Sequence, residues 1–475
     1  MASTKLSVLI PVYNEEEYIQ EVLGRVLRAP LPPDMIREII VVDDCSKDGS
    51  AELVENFSAE HPEVFIRLVR QPKNQGKGAA IRTAIASVSD DSDYCLVQDA
   101  DLEYNPAEYP RLLAPLVQGD ADAVFGSRFL ASGERRVLYY WHSLANHMLT
   151  TLCNIAADIN LTDMETCYKA IRTPLAKSIP IENDRFGIEP ELTIKLARRK
   201  ARIYETSISY HGRTYEEGKK IGLKDAFEAV YAIFRAKFSG KLYTDGGPAA
   251  LDAMAAAPKF NAWMAETISP WMGQRVLEIG AGMGNMSRHL CPGRKRYVAT
   301  DLETEHLEQL RIRFRNRPAV EVAYLDAENA ENFVPYAGQM DTVVCLNVLE
   351  HIKDDAGTLA RIRTLLAPGG YLLLLVPNDP AAYGSLDKAV GHYRRYLKDG
   401  LSKLMQEAGY EVETVLEFNR VSMPGWRVVG QVLKSTNLTP GGMRIFDKFV
   451  WLWRMIDAKL PWQPTSIIAI VKRKQ

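Results

Sequence analysis

Hydrophobic positions along the chain gather into short continuous runs, each ended by a polar turn and followed by apolar residues at helical spacing. Residues 6–12, 38–42 and 64–69 form such runs, and the stretch 94–103 holds another that ends in three acidic side chains at alternating positions. Runs of this length bounded by turn signals predict buried strands, and their alternation with helical patterns predicts a parallel, doubly wound sheet. Helices are expected to start at residues 14–17, at 46–50, and after Asn105, a capping residue followed by Pro106. The order then repeats. Residues 239–248, SGKLYTDGGP, interrupt the periodicity with glycine and proline, and residues 249–268 are helix-like. Residues 275–279, 297–300, 324–327, 341–346 and 370–376 supply a second series of strands and strand ends. The fold class predicted is α/β, with two doubly wound domains at 1–240 and 253–475 and a linker at 241–252.

In an open α/β sheet the strand ends fall on one edge, where ligands bind. Glu15, Asp44, Asp99 and Asp101 all follow strand ends, so four carboxylates from distant positions are expected to line one crevice. In YCLVQDADLE the acids alternate, which on an extended segment puts Asp99, Asp101 and Glu103 on one side, able to converge on one hard divalent cation that holds a diphosphate. Asp43 and Asp44 are equally suited to capping the helix that follows. The segment Gly76-Lys77-Gly78 is not a phosphate loop, because Gln71 and Gly78 stand where the required spacing needs glycine and a hydroxyl residue.

The series PVYNE (11–15), EIIVVDDCSKDGS (38–50), NQGKGAAIRTA (74–84), QDADLE (98–103), GSRF (126–129) and GRTYEEGKK (212–220) resembles the family-2 inverting glycosyltransferases, most closely the dolichyl- and polyprenyl-phosphate mannose synthases. The resemblance covers about residues 5–240 and implies the GT-A, nucleotide-diphospho-sugar transferase fold. It implies a nucleotide-sugar donor, with Pro11, Tyr13, Glu15, Val42, Asp44 and Ala100 around it and Asp99 and Asp101, with Glu103, carrying Mg²⁺ or Mn²⁺. By the same likeness Arg128, Arg213 and Lys219 face phosphates or the acceptor, which would be a polyprenyl phosphate or a glycan. A cation and guanidinium groups suit charge developing on a leaving nucleoside diphosphate. A lipid phosphate is already ionised and needs no general base. The segment DMETCYK (163–169) departs from the family pattern: Lys169 replaces an arginine able to make bidentate phosphate contacts, and Glu165 replaces a threonine. Glu165 is therefore either a base for a hydroxyl acceptor or a structural carboxylate. Residues 223–238, LKDAFEAVYAIFRAKF, form an amphipathic helix suited either to contact with a membrane surface or to packing within the protein.

In the second half, the strand at 275–279 runs into Gly280, Gly282 and Gly284, and Asp301 follows about twenty residues later, where an acid can accept hydrogen bonds from both hydroxyls of a ribose. VLEIGAGMGN, ATDLE, LDAE, LNVLEHI and LAPGGYLLLLVPN resemble the class I S-adenosylmethionine-dependent methyltransferases, with their Rossmann-like fold, over about residues 250–475. The likeness implies that Glu278, Gly280 and Gly282 hold the amino-acid end of S-adenosylmethionine, Asp301 its ribose, Asp326 and Ala327 its adenine, and that Asn347 lies near the sulfonium. No metal is expected there. His351 or His392 is the candidate for taking a proton from the methyl acceptor, or else orients a loop. Arg394 and Arg395 suit an anionic substrate or a solvated pair, and Trp451 and Trp453 suit packing.

Composition narrows the field. A net charge of -2 gives no nucleic-acid signature. The six cysteines are scattered with no Cys-x-x-Cys pair, which predicts reduced, buried thiols. The opening MASTKLSVLI is interrupted by Pro11 and does not read as a signal peptide, and no apolar run reaches membrane-spanning length; a cytoplasmic protein, peripheral at most to a membrane, is expected. The combined reading is a bifunctional glycosyltransferase and methyltransferase, with a ligand-binding scaffold as the contrasting class.

Overall fold

The computed structural model describes residues 4–130, 137, 139–212, 223–239, 242, 254–434 and 440–474. The chain divides into two compact units, Met1–Thr244 and Asp245–Gln475.

The first unit is built on a seven-stranded sheet. Its strands are β1 (Thr4–Val12), β2 (Met35–Asp43), β3 (Phe65–Arg70), β4 (Tyr94–Val97), β5 (Ala123–Ser127), β6 (Lys169–Arg172) and β7 (Ile203–Ser207), in the order β3-β2-β1-β4-β6-β5-β7. β1 carries Leu6, Val8, Leu9 and Ile10, all fully shielded, so both of its faces are covered, as a central parallel strand requires. The helices are α1 (Ile19–Arg28), α2 (Ser50–Glu60), α3 (Lys77–Ala86), α4 (Tyr109–Val117), α5 (Tyr140–Ala157), α6 (Thr173–Lys177), α7 (Ile188–Arg198) and α8 (Leu223–Phe238). α1 shows how sequence becomes packing: Ile19, Val22, Leu23 and Val26 recur at helical spacing and are buried, while Glu21 and Arg25 pair on the exposed side.

Two expectations change. The sheet is not wholly parallel, because β6 runs antiparallel to both β4 and β5. α1 starts at Ile19 rather than at residues 14–17: Asn14 takes a left-handed φ of 54°, and the Glu15 carbonyl accepts from the amides of Tyr18 and Ile19, so the chain spends these residues in a turn. The switch in strand order lies between β1 and β4, both flanked by connections leaving in opposite directions.

The second unit holds β8 (Arg275–Ile279), β9 (Arg296–Asp301), β10 (Val320–Tyr324), β11 (Met340–Leu346), β12 (Leu366–Pro377), β13 (Tyr410–Phe418) and β14 (Ser466–Arg473), ordered β10-β9-β8-β11-β12-β14-β13. The first five are parallel, and β14 is antiparallel to β12 and β13. The helix-like stretch at 249–268 is a helix over Pro258–Ile268; residues 249–253 and the linker expected at 241–252, apart from Leu242, lie outside the described residues. Trp453 stacks on Phe446 with ring centroids 6.0 Å apart, while Trp451 is exposed.

Candidate functional sites on the two sheet edges

In the first unit the loops after β1, β2 and β4 meet at the switch in strand order. The loop after β1 is clasped to the loop after β2: Ser46 Oγ accepts from the Asn14 amide at 3.0 Å, Asn14 Oδ1 accepts from the Lys47 amide at 2.8 Å, and Ser50 Oγ accepts from the Glu15 amide at 2.9 Å. Pro11, Tyr13 and Glu15 are half-buried along this clasp, and Val42 is fully buried beneath it. Asp43 accepts from the Ser46 amide at 3.2 Å within the turn and does not cap the helix that follows, which starts at Ser50 with Gly49 in the capping position. Asp44 instead reaches across, accepting from the amides of Gln75 (2.8 Å) and Gly76 (2.7 Å). Gly76 and Gly78 have a structural reason to be glycine. A Cβ at Gly76, where φ is +101°, would lie 2.5 Å from the Asp184 carbonyl oxygen, and one at Gly78 would lie 2.1 Å from that of Asn183.

β4 ends at Val97, so Asp99 to Glu103 run through a bend and not along an extended strand. The expected convergence of three acids is not found: among the described residues no three-ligand group includes them. Asp99 Oδ1 lies 2.9 Å from Lys77 Nζ, Asp101 Oδ1 accepts from the Glu103 amide at 3.1 Å, and Glu103 Oε2 accepts from the Tyr210 hydroxyl at 2.8 Å. Asp99 and Asp101 remain as neighbours on one loop, with Ala100 buried between them. The loop is held from below by Gln98, whose Oε1 accepts from Tyr109 (2.9 Å) and Tyr168 (2.8 Å) and whose Nε2 donates to the Asp99 carbonyl.

Lys77 also contacts Glu189 at 3.2 Å, and the two carboxylates hold its ammonium well above the usual lysine range against the cost of burial. Glu165 stands near Glu189; burial first, and then that like charge, push its carboxyl up to about 7, and its Oε1 is enclosed with no hydrogen-bond partner. Arg128 is turned onto Asp163 in a two-pronged pair (Nε–Oδ2 and Nη2–Oδ1 both 2.7 Å), with its guanidinium 5.1 Å from the Tyr210 ring centroid. Lys169 does not reach the edge: it is buried, donating to the carbonyls of Met164 (3.0 Å) and Thr166, because β6 runs back into the sheet. Arg213 and Lys219 lie outside the described residues. The sequence assigns no role to Lys77, Glu189 or Gln98: Lys77 and Gln98 stand inside the motifs at 74–84 and 98–103, and Glu189 carries no local signal.

The second site is the matching edge of the other sheet, between β8 and β11. Gly280, Gly282 and Gly284 all have positive φ (69°, 54° and 76°), and a Cβ on Gly280 would lie 2.3 Å from Val348 Cγ2 in the loop after β11. Asp301 at the end of β9 is buried; it accepts from the Gly282 amide (2.8 Å), the Glu303 amide (3.0 Å) and His306 Nδ1 (2.9 Å). Those bonds hold Asp301 below the usual carboxylate range despite its burial, and Asp301 raises His306 against the same effect. Three of a carboxylate's roughly four acceptor positions are thus used within the protein. Glu278 is buried and turned inward, accepting from Ser287 Oγ (2.5 Å) and the Tyr297 hydroxyl (2.7 Å). Asp326 accepts from the Glu328 amide, Ala327 is buried, and Asn347 is exposed with φ 55° at the end of β11. His351 and His392 are brought together with ring centroids 4.7 Å apart, above Glu350, which is fully buried and whose carboxyl is pushed up to about 8 by that burial. Arg394 pairs with Asp355 at 2.7 Å and Arg395 is buried against Asp387, so neither is an idle surface cation.

Residues 7–179 match the family model for glycosyl transferase family 2. The undecaprenyl-phosphate mannosyltransferase of Micrococcus luteus is 31% identical over 228 residues, 46% of this chain and 88% of that protein. The chain belongs to glycosyl transferase family 2. The dolichol-phosphate mannosyltransferase of Pyrococcus furiosus is 27% identical over 241 residues, 50% of this chain and 65% of that protein. Residues 236–415 match the model of a methyltransferase domain, so the family-2 unit is followed in the same chain by a methyltransferase unit. The S-adenosylmethionine-dependent methyltransferase structure from Mesorhizobium loti is 14% identical, with a TM-score of 0.32, covering 45% of this chain and 98% of that one.

Proposed function

We propose that the chain is a bifunctional enzyme: its first unit transfers a sugar from a nucleotide-sugar to polyprenyl phosphate with inversion, and its second unit methylates a glycan or glycolipid of the same pathway using S-adenosylmethionine. The observation that carries the first half is the position of Asp99 and Asp101 on the loop beyond β4, beside the clasped loops of β1 and β2 at the switch in strand order. Their hard oxygen donors fit Mg²⁺ or Mn²⁺, and Asp99 already neutralises one cation, the Lys77 ammonium. Such an ion would supply charge stabilisation for the departing nucleoside diphosphate. The chain's own residues fix the geometry: Asp44 holds the loop at 75–76, Gln98 pins the carboxylate loop, and Asp163 orients Arg128. Similarity to an undecaprenyl-phosphate mannosyltransferase and a dolichol-phosphate mannosyltransferase supports a polyprenyl-phosphate acceptor.

A membrane-surface location fits this acceptor. α8 leaves Phe227, Tyr231, Phe234 and Phe238 exposed along one stripe, and α5 leaves Tyr140, Trp141, Leu144, Met148 and Ile155 exposed, while the opposite sides pack together through Cys153, Ile233 and Ala236. Two helices joined at their buried sides and apolar outside suit the interfacial zone of a bilayer. Among the described residues no helix is long and apolar enough to cross one.

For the second half, the turn at 280–284, whose three glycines all have positive φ, leads through the Gly282 amide to Asp301; a turn with this backbone and a buried acid beside it suit the amino-acid and ribose parts of S-adenosylmethionine. The methyl group of that donor is intrinsically activated, so the protein's task is alignment of the acceptor. The test has two arms: nucleoside diphosphate release with Mn²⁺ or Mg²⁺ in wild type and Asp101→Ala, and S-adenosylhomocysteine formation in wild type and Asp301→Ala. Turnover in both wild-type arms, lost in each variant, supports the reading; ligand binding without turnover in either arm identifies a scaffold instead. A short polyprenyl phosphate should accelerate sugar-nucleotide consumption. The second reading, a hydroxyl acceptor with Glu165 as base, is favoured by one observation, the unpartnered Oε1 of a carboxyl raised to about 7.

A further inference from the structure

We propose that Glu350, His351 and His392 form a divalent transition-metal site in the methyltransferase unit, with open coordination positions for oxygen ligands. The site rests on the placement of three donors from two segments. β11 ends at Leu346, Asn347 turns the chain with its positive φ, and a single turn over Leu349–His351 buries Leu349 and Glu350 while leaving His351 exposed. His392 comes from the loop after the short helix Ser385–Ala389, and that loop is tied to the turn by the Tyr393 amide, which donates to the Glu350 carbonyl at 2.8 Å. One donor atom from each of the three residues lies within 4.8 Å of the other two, the only such group among the described residues.

A second, independent observation points to a ligand. Glu350 is fully buried, and neither Oε1 nor Oε2 has a hydrogen-bond partner. A buried carboxylate ordinarily has its oxygens satisfied or coordinates a metal. The Arg395 guanidinium, whose charge acts on Glu350, is already spent on Asp387 (2.8 and 3.1 Å) and on the Asn378 carbonyl (2.9 Å). His392 is prepared for coordination: its Nδ1 donates to Asp387 Oδ1 at 2.9 Å, which leaves Nε2 as the free lone pair, 3.8 Å from Glu350 Oε1. A carboxylate holding the far nitrogen of a histidine is the arrangement that orients metal-binding imidazoles. Asp387 is itself fixed by Arg395 and by the Gly384 amide at 2.9 Å. Two imidazoles and one carboxylate are donors for Mn²⁺, Fe²⁺, Co²⁺ or Zn²⁺ rather than for a hard ion alone, and three protein ligands leave positions open.

The inference deepens the methyltransferase reading only in placing the ion at the end of β11; metal binding itself does not depend on that reading. The test uses the full chain carrying Asp101→Ala, which removes one carboxylate of the first unit's proposed cation site. After stripping with chelator, the protein is titrated with Co²⁺ and with Zn²⁺; bound metal is counted after gel filtration, and the Co²⁺ absorption spectrum is recorded. One ion per chain is expected, with an absorption spectrum showing nitrogen ligation. His392→Ala and Glu350→Gln should each weaken binding at least 10-fold, and Asp387→Asn roughly 10- to 100-fold. S-adenosylmethionine binding, measured in each variant by calorimetry, serves as the folding control, with His392→Gln replacing any variant that fails it. No bound metal in the parent, or the same affinity and spectrum in the parent and in folded His392→Gln and Glu350→Gln, overturns the proposal. Metal bound without any S-adenosylmethionine binding would leave this site standing and remove the methyltransferase reading; the reverse result would do the opposite.

Discussion

Lys77 is the residue whose removal tests the electrostatics of the first site most directly. Its ammonium lies 2.9 Å from Asp99 and 3.2 Å from Glu189, and all three side chains are largely shielded, with 17%, 22% and 7% of their surface exposed. Lys77→Met keeps the apolar stem and removes the charge that Asp99 and Glu189 share, leaving Glu189 with only the charge of the buried Lys169. Removing one partner of a buried pair costs roughly 3–5 kcal/mol, and the residual exposure of Asp99 places this case at the low end, about 3 kcal/mol. That corresponds to a change of about 100-fold in an opening equilibrium. The sign with pH follows from the raised Lys77 value: its contribution is fully present below 10.5 and is lost only as pH climbs through the raised value, so the deficit should be constant across the neutral range. Hydrogen exchange of the slowest amides in β1 and β4 reports the first unit separately from the second. In chelator, Lys77→Met should exchange about 100-fold faster there, and millimolar Mn²⁺ should recover part of the loss, because a cation on Asp99 and Asp101 replaces the missing charge. Exchange within twofold of wild type would show the two carboxylates to be compensated elsewhere, and the reasoning would fail.

Other consequences can be checked separately. Asp301 stabilises the second unit above the usual carboxylate range and loses this effect as pH falls through its lowered value, whereas His306 contributes below 6.5 and loses it as pH rises through its raised value. An NMR titration of the His306 ring should therefore have its midpoint above 6.5 in wild type and at or below 6.5 in Asp301→Asn; an unmoved midpoint refutes the pairing. Glu165→Gln should keep sugar transfer to polyprenyl phosphate within about tenfold, since an anionic acceptor needs no base, whereas a loss of 10²–10⁴-fold together with loss of a pH limb near 7 would favour the hydroxyl acceptor. The same variant should lack the decline in stability that wild type shows as pH rises from 4.5 through about 7 and the enclosed carboxyl ionises. Combining Trp141→Asp on α5 with Phe234→Asp on α8 should reduce co-sedimentation with anionic lipid vesicles about tenfold or more while leaving the circular dichroism spectrum unchanged; undiminished co-sedimentation would exclude these faces as the contact.

The edges of both sheets were legible because strand ends announce themselves. The run at 275–279 coincides with β8 to the residue, and the one at 6–12 ends with β1, since each is a block of branched apolar residues cut off by a turn. β6 escaped notice because four residues inside DMETCYKAIR carry too little pattern to show direction, and its antiparallel course is what carries Lys169 into the interior. The carboxylate alternation at 99, 101 and 103 was real in the sequence but assumed an extended backbone that stops at Val97. Partners at long range were not legible at all. Nothing in the spacing of Lys77 and Glu189 couples them across 112 positions, and Asp387 could be recognised as the support of His392 only once the loop was folded. α5 went unread beside α8 because its exposed stripe is chemically a core stripe; only burial separates the two.

The glycines at 76 and 78 set a timetable. Their close approach to the backbone at 183–185, with the Ala79 amide donating to the Asp184 carbonyl at 3.0 Å, means that the start of α3 rests on chain made more than a hundred residues later. A ribosome-bound fragment ending near residue 170 would already contain β1 to β4, yet Lys77 would have Asp99 without Glu189, and its loop would have no floor. The sheet edge around Lys77 is thus completed from later in its own unit, so truncated translation products should carry the parallel half of the sheet without a finished loop at 75–78.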